Sequence, residues 1–249
     1  MPARSGQPLI SRYSARMVID RRPAALVYRL LAVVLIATGI IRLGGLFSGA
    51  PVGSTFLFFT GQSNVLCLAW MLFMLIATIR DLALHGAHGV TAPSPRLGAA
   101  VMMTITVTML IYVVLLAPES FRQTGGGYRP FGLTDDLVHI VTPILVIGDW
   151  LLFNPKGRLR SHDPLLWTIP PYAYLVFAYS WVALGGDFGE GRAYPYPFMD
   201  VDLHGVGGVA LWIIALSVAL VMVGYLYLAL DRHLGRRPEE GDRHLGAAS

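Results

Sequence analysis

Six long apolar stretches dominate the pattern of hydrophobic and polar residues along the chain. Each approaches or exceeds the roughly 20 apolar residues that a helix needs to cross a lipid bilayer. They are too continuous for the strands of a membrane barrel, which alternate over about ten residues. The pattern therefore predicts an all-α integral membrane protein, a bundle of six transmembrane helices at Ala24–Phe47, Thr55–Ile79, Leu97–Ala117, Thr134–Phe153, Leu165–Leu184 and His204–Leu230.

The composition agrees with this pattern. Of the 249 residues, 55 % are hydrophobic and only 14 % are charged, whereas soluble domains carry about 25 % charged residues. The composition thus argues against an ordinary soluble enzyme and excludes a long disordered chain. The first apolar stretch is too long for a signal peptide and lacks a small-residue cleavage site, so we expect it to be retained. The domain organisation is a basic tail (1–23), one transmembrane bundle (24–230) and a polar tail (231–249).

The distribution of basic residues predicts the orientation of the bundle. Cytoplasmic loops of membrane proteins carry an excess of Lys and Arg. Of the 19 basic residues, 14 fall in the two tails and in the loops after the second and fourth spans, against Arg122, Arg129 and Arg192 on the other side. Both termini are therefore expected to be cytoplasmic, in a multi-pass protein of the plasma membrane. Most of the basic residues behind the net charge of +4 mark the cytoplasmic side of the membrane, so we expect no nucleic-acid partner.

Polar residues collect where the second and fourth predicted spans begin, on the outer side. Thr60, Asn64 and Cys67 are spaced to share one face of the second span. Thr60 lies five residues after Thr55, and His139 lies five after Thr134. At 1.5 Å per residue, both side chains are expected about 8 Å below the start of their helix.

Thr60 and His139 have the residue types of a nucleophile and a general base. A neutral imidazole can take the proton of a threonine hydroxyl as the hydroxyl attacks an ester. Asp136 could orient His139, as the third member of a triad does. Polar side chains beside Thr60 could donate hydrogen bonds to the oxyanion, namely Gln62, Ser63 and Asn64.

Structural explanations stay open for the same residues. The Thr60 hydroxyl could bond a carbonyl one turn back, and His139 could be a solvated interfacial residue. Asp135 fits the first turn of a helix because the helix dipole favours an acid there. Arg42 could pair with Asp136 or receive a substrate carboxylate.

Other polar residues have distinct interpretations. For Asp149, about 15 Å deeper than His139, a structural pair with Arg29 or a helix-end hydrogen bond is expected. The last outer loop offers a substrate mouth or lid, with a simple structural cap as the alternative, at Tyr194, Tyr196, Asp200 and His204. His204 beside Asp200 or Asp202 is weak evidence for a metal, since no HExxH or CxxC pattern accompanies it. We expect no metal and no cofactor.

The sequence from about Gly53 to Asp231 resembles the androgen-induced family of polytopic membrane proteins, and more closely its bacterial six-helix branch. The matching elements are Phe59-Thr60, His139, an acid ten residues later at Asp149, and Tyr196-Pro197-Phe198 with Asp200. Animal members are threonine hydrolases that cleave fatty acid esters of hydroxy fatty acids. The resemblance implies that Thr60 and His139 are catalytic. Here Pro143 lies one position closer to the histidine than in the animal pattern, and Gly-Gln-Ser-Asn after Thr60 also differs.

Two functions of different classes follow. The first is a membrane-embedded lipid ester hydrolase that acts on a membrane lipid or fatty acyl ester. The second is a non-enzymatic binding or transport protein with a polar vestibule on the outer side. The inner halves of the spans hold few polar residues, which weakens the case for a continuous transport pathway. The sequence leaves the oligomeric state open.

Overall fold

A computed structural model describes residues 17–49, 51–88, 92–118, 130–189 and 191–236. Within these ranges all regular elements are helical, as the sequence predicts. The helices are α1 (Arg22–Leu43), α2 (Phe59–His85), α3 (Pro95–Leu116), α4 (Leu133–Phe153), α5 (Asp163–Leu166), α6 (Ile169–Ala183) and α7 (Val201–Gly235). Short 3₁₀ turns lie at Leu46–Ser48, Gly53–Leu57, Gly86–His88 and Pro197–Met199.

Five of these helices are long and apolar enough to cross a membrane: α1, α2, α3, α4 and α7. The predicted span Leu165–Leu184 falls on α5 and α6 instead. Because α6 has 15 residues, it measures about 22 Å, which is shorter than the roughly 30 Å hydrocarbon core. A sixth span therefore stays a prediction. So does the orientation, since much of its charge pattern (Arg4, Arg12, Arg16, Arg122, Arg129, Arg237 and Arg243) lies outside the described residues.

Local sequence explains several helix ends. Ser94 caps α3 by accepting a hydrogen bond from the Leu97 N–H at 3.3 Å, and Pro95 follows at the first helical position. Asp200 caps α7 by accepting from the Leu203 N–H at 3.0 Å. Gly205, at φ 64° and ψ 167°, interrupts α7 with a kink that other residues would resist.

Helices α1 to α4 pack in a ring, each against the next, and α4 closes the ring against α1. α7 contacts α5 and the Pro197–Met199 turn. Large apolar side chains point outward, as expected of surfaces that face lipid rather than water: Val176 is 69 % exposed, Leu211 69 % and Leu226 67 %.

Buried charges lie at the end of the ring where α2 and α4 finish. Arg29 of α1 and Asp149 of α4 form an ion pair at 2.7 Å, and each residue is 1 % exposed. This confirms the structural pair expected from the sequence. Nearby, Arg22 pairs with Asp81 at 2.7 Å. We call the other end, where α2 and α4 begin and where Thr60 and His139 lie, the site end.

Candidate active site

The start of α2 differs from the prediction. Residues Gly53–Leu57 form a 3₁₀ turn, Phe58 is extended at φ −81° and ψ 148°, and α2 begins only at Phe59. Thr60 is therefore the second residue of its helix, and the predicted depth of about 8 Å is wrong for it. A Cβ on Gly61 would lie 2.6 Å from the Thr55 carbonyl oxygen, so the glycine lets the 3₁₀ turn fold back against α2.

The start of α4 contains a π turn, Leu137–Val141, just before Pro143. The Thr142 N–H bonds to the Leu137 carbonyl, five residues back, rather than to Val138 as in an α-helix. The released Val138 carbonyl accepts a hydrogen bond from Asn64 Nδ2 at 3.1 Å. The same amide donates to the Thr60 carbonyl at 2.8 Å. Asn64 thus fastens the first turn of α2 to the π turn of α4.

These two turns bring the nucleophile and base candidates together. Thr60 Oγ1 lies 3.2 Å from His139 Nε2. His139 is 8 % exposed, and its Nδ1 lies 3.2 Å from the Asp135 carbonyl oxygen. A carbonyl only accepts hydrogen bonds, so Nδ1 carries the proton and Nε2 presents its lone pair to the Thr60 hydroxyl.

Tyr112 of α3 fixes the plane of the imidazole. The two rings are stacked, with centroids 4.0 Å apart and 7° between their planes. Tyr112 is 1 % exposed, and its hydroxyl accepts a hydrogen bond from the Phe131 N–H at 2.9 Å. Nothing in the sequence singles out Tyr112, because a tyrosine near the end of an apolar span is typical of any membrane interface.

Two charged residues predicted to support the site do not make the contacts expected of them. Within the described ranges, Asp136 makes no hydrogen bond or ion pair with His139. Asp135 faces the imidazole of His139 instead. Its carbonyl oxygen lies 3.2 Å from Nδ1, and its carboxylate lies 3.9 Å from the same atom. Arg42 Nε donates to Thr134 Oγ1 at 3.2 Å, and within the described residues it forms no ion pair with Asp136, one of the two partners predicted for it.

The three predicted oxyanion donors are held by other partners. Gln62 is exposed and its Nε2 lies 3.4 Å from the Phe56 carbonyl oxygen. The buried Ser63 hydroxyl lies 3.1 Å from the Thr60 carbonyl oxygen and 2.8 Å from Thr108 Oγ1. Asn64 is committed to two carbonyls, as described above. None of the three side chains lines the space in front of Thr60.

Of the predicted mouth residues, only Tyr196 reaches the site. It is 8 % exposed and lies in the wall of the same cavity as Thr60. Tyr194 is half-buried against Tyr179, with ring centroids 6.1 Å apart. Asp200 is the cap of α7, and His204 is exposed on the first turn of that helix.

An apolar cavity opens in front of Thr60. It encloses about 720 Å³, open space at its mouth included. Its walls come from α3, α6, α7 and the Tyr196–Met199 segment, with Val107, Ile111, Leu116, Leu175, Ile213, Leu216 and Leu220 among the lining residues. Thr60 and Tyr196 lie in the wall, whereas His139 stands behind Thr60 and outside the lining. The Thr60 hydroxyl therefore lies between the His139 imidazole and an apolar cavity large enough for a ligand.

Comparisons with known proteins indicate that this chain is a membrane protein. No protein-family model matches the chain, and no solved structure matches it. The chain is similar to UPF0641 membrane protein YHR140W of Saccharomyces cerevisiae, with 27 % identity over 115 residues. The match covers 45 % of this chain and 46 % of the yeast protein, about half the length of each. With its apolar helices, this chain is therefore a membrane protein with several helices fit to span the bilayer.

Proposed function

We propose that this protein is a membrane-embedded lipid ester hydrolase in which Thr60 is the nucleophile and His139 the general base. The observation that carries the proposal is the distance of 3.2 Å between Thr60 Oγ1 and His139 Nε2, with Nδ1 against the Asp135 carbonyl. A base oriented by a third group and within reach of a hydroxyl is the arrangement of nucleophilic catalysis. The resemblance to the androgen-induced family supports the same two residues.

The reaction proceeds in two halves. Thr60 Oγ1 bonds to the ester carbonyl carbon while His139 Nε2 takes the hydroxyl proton, and the carbonyl π electrons move onto oxygen. The intermediate collapses, the ester C–O bond breaks, and Nε2–H returns the proton to the leaving alkoxide. Water then attacks the acyl-Thr60 ester with His139 again as base, which releases the acid and restores the hydroxyl.

The cavity supports a substrate with a long hydrocarbon chain. Its lining is mainly aliphatic and aromatic, and it is continuous with Thr60. Burial of a chain in such a cavity contributes about 0.8 kcal/mol per CH₂ group. Fatty acyl esters fit this chemistry, and the family resemblance favours fatty acid esters of hydroxy fatty acids within that class.

We also infer six spans with both termini in the cytoplasm and a site open to the outer face of the plasma membrane. The charge pattern and the even number of apolar stretches support this topology. The test uses a Cys67→Ser background and a membrane-impermeant maleimide on intact cells. Arg192→Cys should react directly and Arg158→Cys only after permeabilisation. The opposite result contradicts the topology.

The enzymatic proposal is tested with purified protein in nanodiscs and a panel of lipid esters. Thr60→Ala should abolish hydrolysis, Thr60→Ser should retain part of it, and His139→Ala should lower the rate about 10²–10⁴-fold. Thr104→Ala is the matched control, because this buried hydroxyl only bonds the Ala100 carbonyl at 2.9 Å. Hydrolysis that survives both Thr60→Ala and His139→Ala refutes the mechanism. Saturable binding of the esters without turnover favours the non-enzymatic binding protein instead.

A further inference from the structure

The proposed reaction needs a donor for the oxyanion, and the three side chains predicted for this role are engaged elsewhere. Gln62 is exposed beside the Phe56 carbonyl, Ser63 bonds to Thr108, and Asn64 bridges two carbonyls. Removing an oxyanion donor in other acyl-transfer enzymes lowers the rate about 10²–10³-fold. A hydrolase with this Thr–His pair therefore needs another polar hydrogen close to Thr60.

Tyr196 brings a phenol to this position from the segment between α6 and α7. Its ring stacks on Phe198, with centroids 5.5 Å apart and 2° between the planes, and meets the edge of Phe58 at 6.1 Å. Its ring centroid also lies 6.3 Å from that of Tyr174, and the Thr60 side chain and the backbone of Phe59 and Thr60 are among the polar neighbours of its phenol. Both Tyr196 and Thr60 line the cavity. The phenol and the nucleophile thus face the same space.

The backbone beside the phenol favours negative charge. The residue at the N-cap of α2 is Phe58, whose side chain provides no capping hydrogen bond. The N–H groups of the first helical turn have no partner one turn back and carry the positive end of the helix dipole. Tyr196 meets this turn at its N-cap, where its ring centroid lies 6.1 Å from that of Phe58.

The phenol also acts as a donor. The Tyr174 hydroxyl donates its hydrogen to the Leu57 carbonyl at 3.1 Å, so toward Tyr174 the phenol can only donate. An oxyanion is a stronger acceptor than a neutral hydroxyl, so the phenol hydrogen turns to the oxyanion when it forms. Burial raises the pKa of Tyr196, while its interactions with Thr60, Phe59 and Tyr174 lower it, and the net shift is upward. The group therefore stays protonated at neutral pH.

We propose that the Tyr196 phenol donates the hydrogen bond that stabilises the oxyanion formed when Thr60 attacks the ester, an inference that rests on the proposed hydrolase function. The carbonyl oxygen becomes the oxyanion between the phenol and the first turn of α2. His139 handles the proton on the other side of Thr60. The proton of the phenol is shared in the hydrogen bond and is not transferred.

Tyr196→Phe tests the proposal, since it keeps the ring that packs on Phe198 and Phe58 and removes only the hydroxyl. We expect kcat to fall about 10²–10³-fold with KM within about twofold of wild type. Tyr179→Phe is the matched control, because its hydroxyl donates to the Met199 carbonyl at 2.9 Å in the same region. That variant should keep its kcat within about twofold.

Two inhibitors separate catalysis from packing. A long-chain trifluoromethyl ketone forms a tetrahedral oxyanion with Thr60, and its affinity should fall in Tyr196→Phe by a factor close to the fall in kcat. A non-hydrolysable ether with the same chain should bind both proteins equally. A kcat above half of the wild-type value, or equal weakening of both inhibitors, overturns the role of Tyr196 while the Thr60→Ala and His139→Ala results still support the hydrolase. Absence of ester hydrolysis by wild type overturns both proposals.

Discussion

Breaking the buried ion pair between Arg29 and Asp149 should strongly destabilise the bundle. The Asp149 carboxylate accepts from Arg29 Nε at 2.7 Å, from Arg29 Nη2 at 3.3 Å and from Asn154 Nδ2 at 2.9 Å. The guanidinium also bonds to Thr78 of α2. The pair therefore joins α1, α2 and α4, three of the four helices of the ring.

The perturbation is a double-mutant cycle of Arg29→Met and Asp149→Leu. Either single change leaves one charge buried without its counter-ion, and both residues are 1 % exposed. The expected loss is about 3–5 kcal/mol for each single variant. The double variant removes both charges and both desolvation penalties, so its loss should lie well below the sum, with a coupling energy of about 2 kcal/mol or more.

The assay is reversible unfolding of purified protein in mixed micelles as the fraction of denaturing detergent rises, followed by tryptophan fluorescence. Arg80→Met is the control, since Arg80 is exposed near the end of α2, and its effect should stay within about 0.5 kcal/mol. A double-variant loss equal to the sum of the two single losses would refute the reasoning, because the residues would then act independently.

Three further predictions concern the cavity, a buried lysine and a tight helix contact. Leu220 of α7 lines the cavity, so Leu220→Trp should fill part of it and shift hydrolysis toward shorter acyl chains, measured as kcat/KM across a chain-length series. Burial lowers the pKa of Lys156 to about 8 from 10.5. Between pH 8 and pH 10.5 the lysine is neutral in the folded protein and charged in the unfolded chain, so unfolding takes up a proton and stability rises with pH. The melting temperature of wild type minus that of Lys156→Met should therefore rise from pH 8 to pH 10. A difference that does not change with pH contradicts this prediction. A Cβ on Gly224 would lie 2.9 Å from Pro164 Cβ, so Gly224→Ala should destabilise by about 1–3 kcal/mol in the detergent assay, whereas Gly207→Ala, which meets nothing within 4 Å, should not.

Hydropathy predicted most of the helices because lipid forces backbone polar groups to bond within one helix, which requires long apolar stretches. It placed the start of the second span four residues early. Residues 55–58 are as apolar as the helix that follows, yet they form part of a 3₁₀ turn and an extended residue. Hydropathy does not distinguish these backbone conformations. The short α6 shows a related limit, since its apolar stretch continues past the ends of the helix.

The site was harder to predict because helix rotation decides which side chains meet. Spacing indicated Thr60 and His139 at one end of the protein, but their contact depends on the π turn of α4. Asp135 and Asp136 are adjacent acids, and the sequence offers no reason to choose between them. The group that meets the imidazole is moreover a backbone carbonyl, which every residue has. Tyr196 was found as a mouth residue, whereas its approach to Thr60 depends on the path of a long connecting segment.

The construction of the site follows from the cost of charge in a membrane. The Asp135 carboxylate lies 3.9 Å from His139 Nδ1, and a charge at this depth needs partners of its own. The closer contacts that orient the ring are the Asp135 carbonyl at 3.2 Å and the stacked Tyr112, both neutral. Asn64 holds the two helices together through carbonyls, one of which is available because the π turn before Pro143 releases it. The Arg29–Asp149 pair lies at the other end of the ring, where it can join helices without perturbing a neutral imidazole. The proposed nucleophile and base, whose closest contacts are neutral groups, can therefore share a wall with an apolar cavity that accepts a hydrocarbon chain.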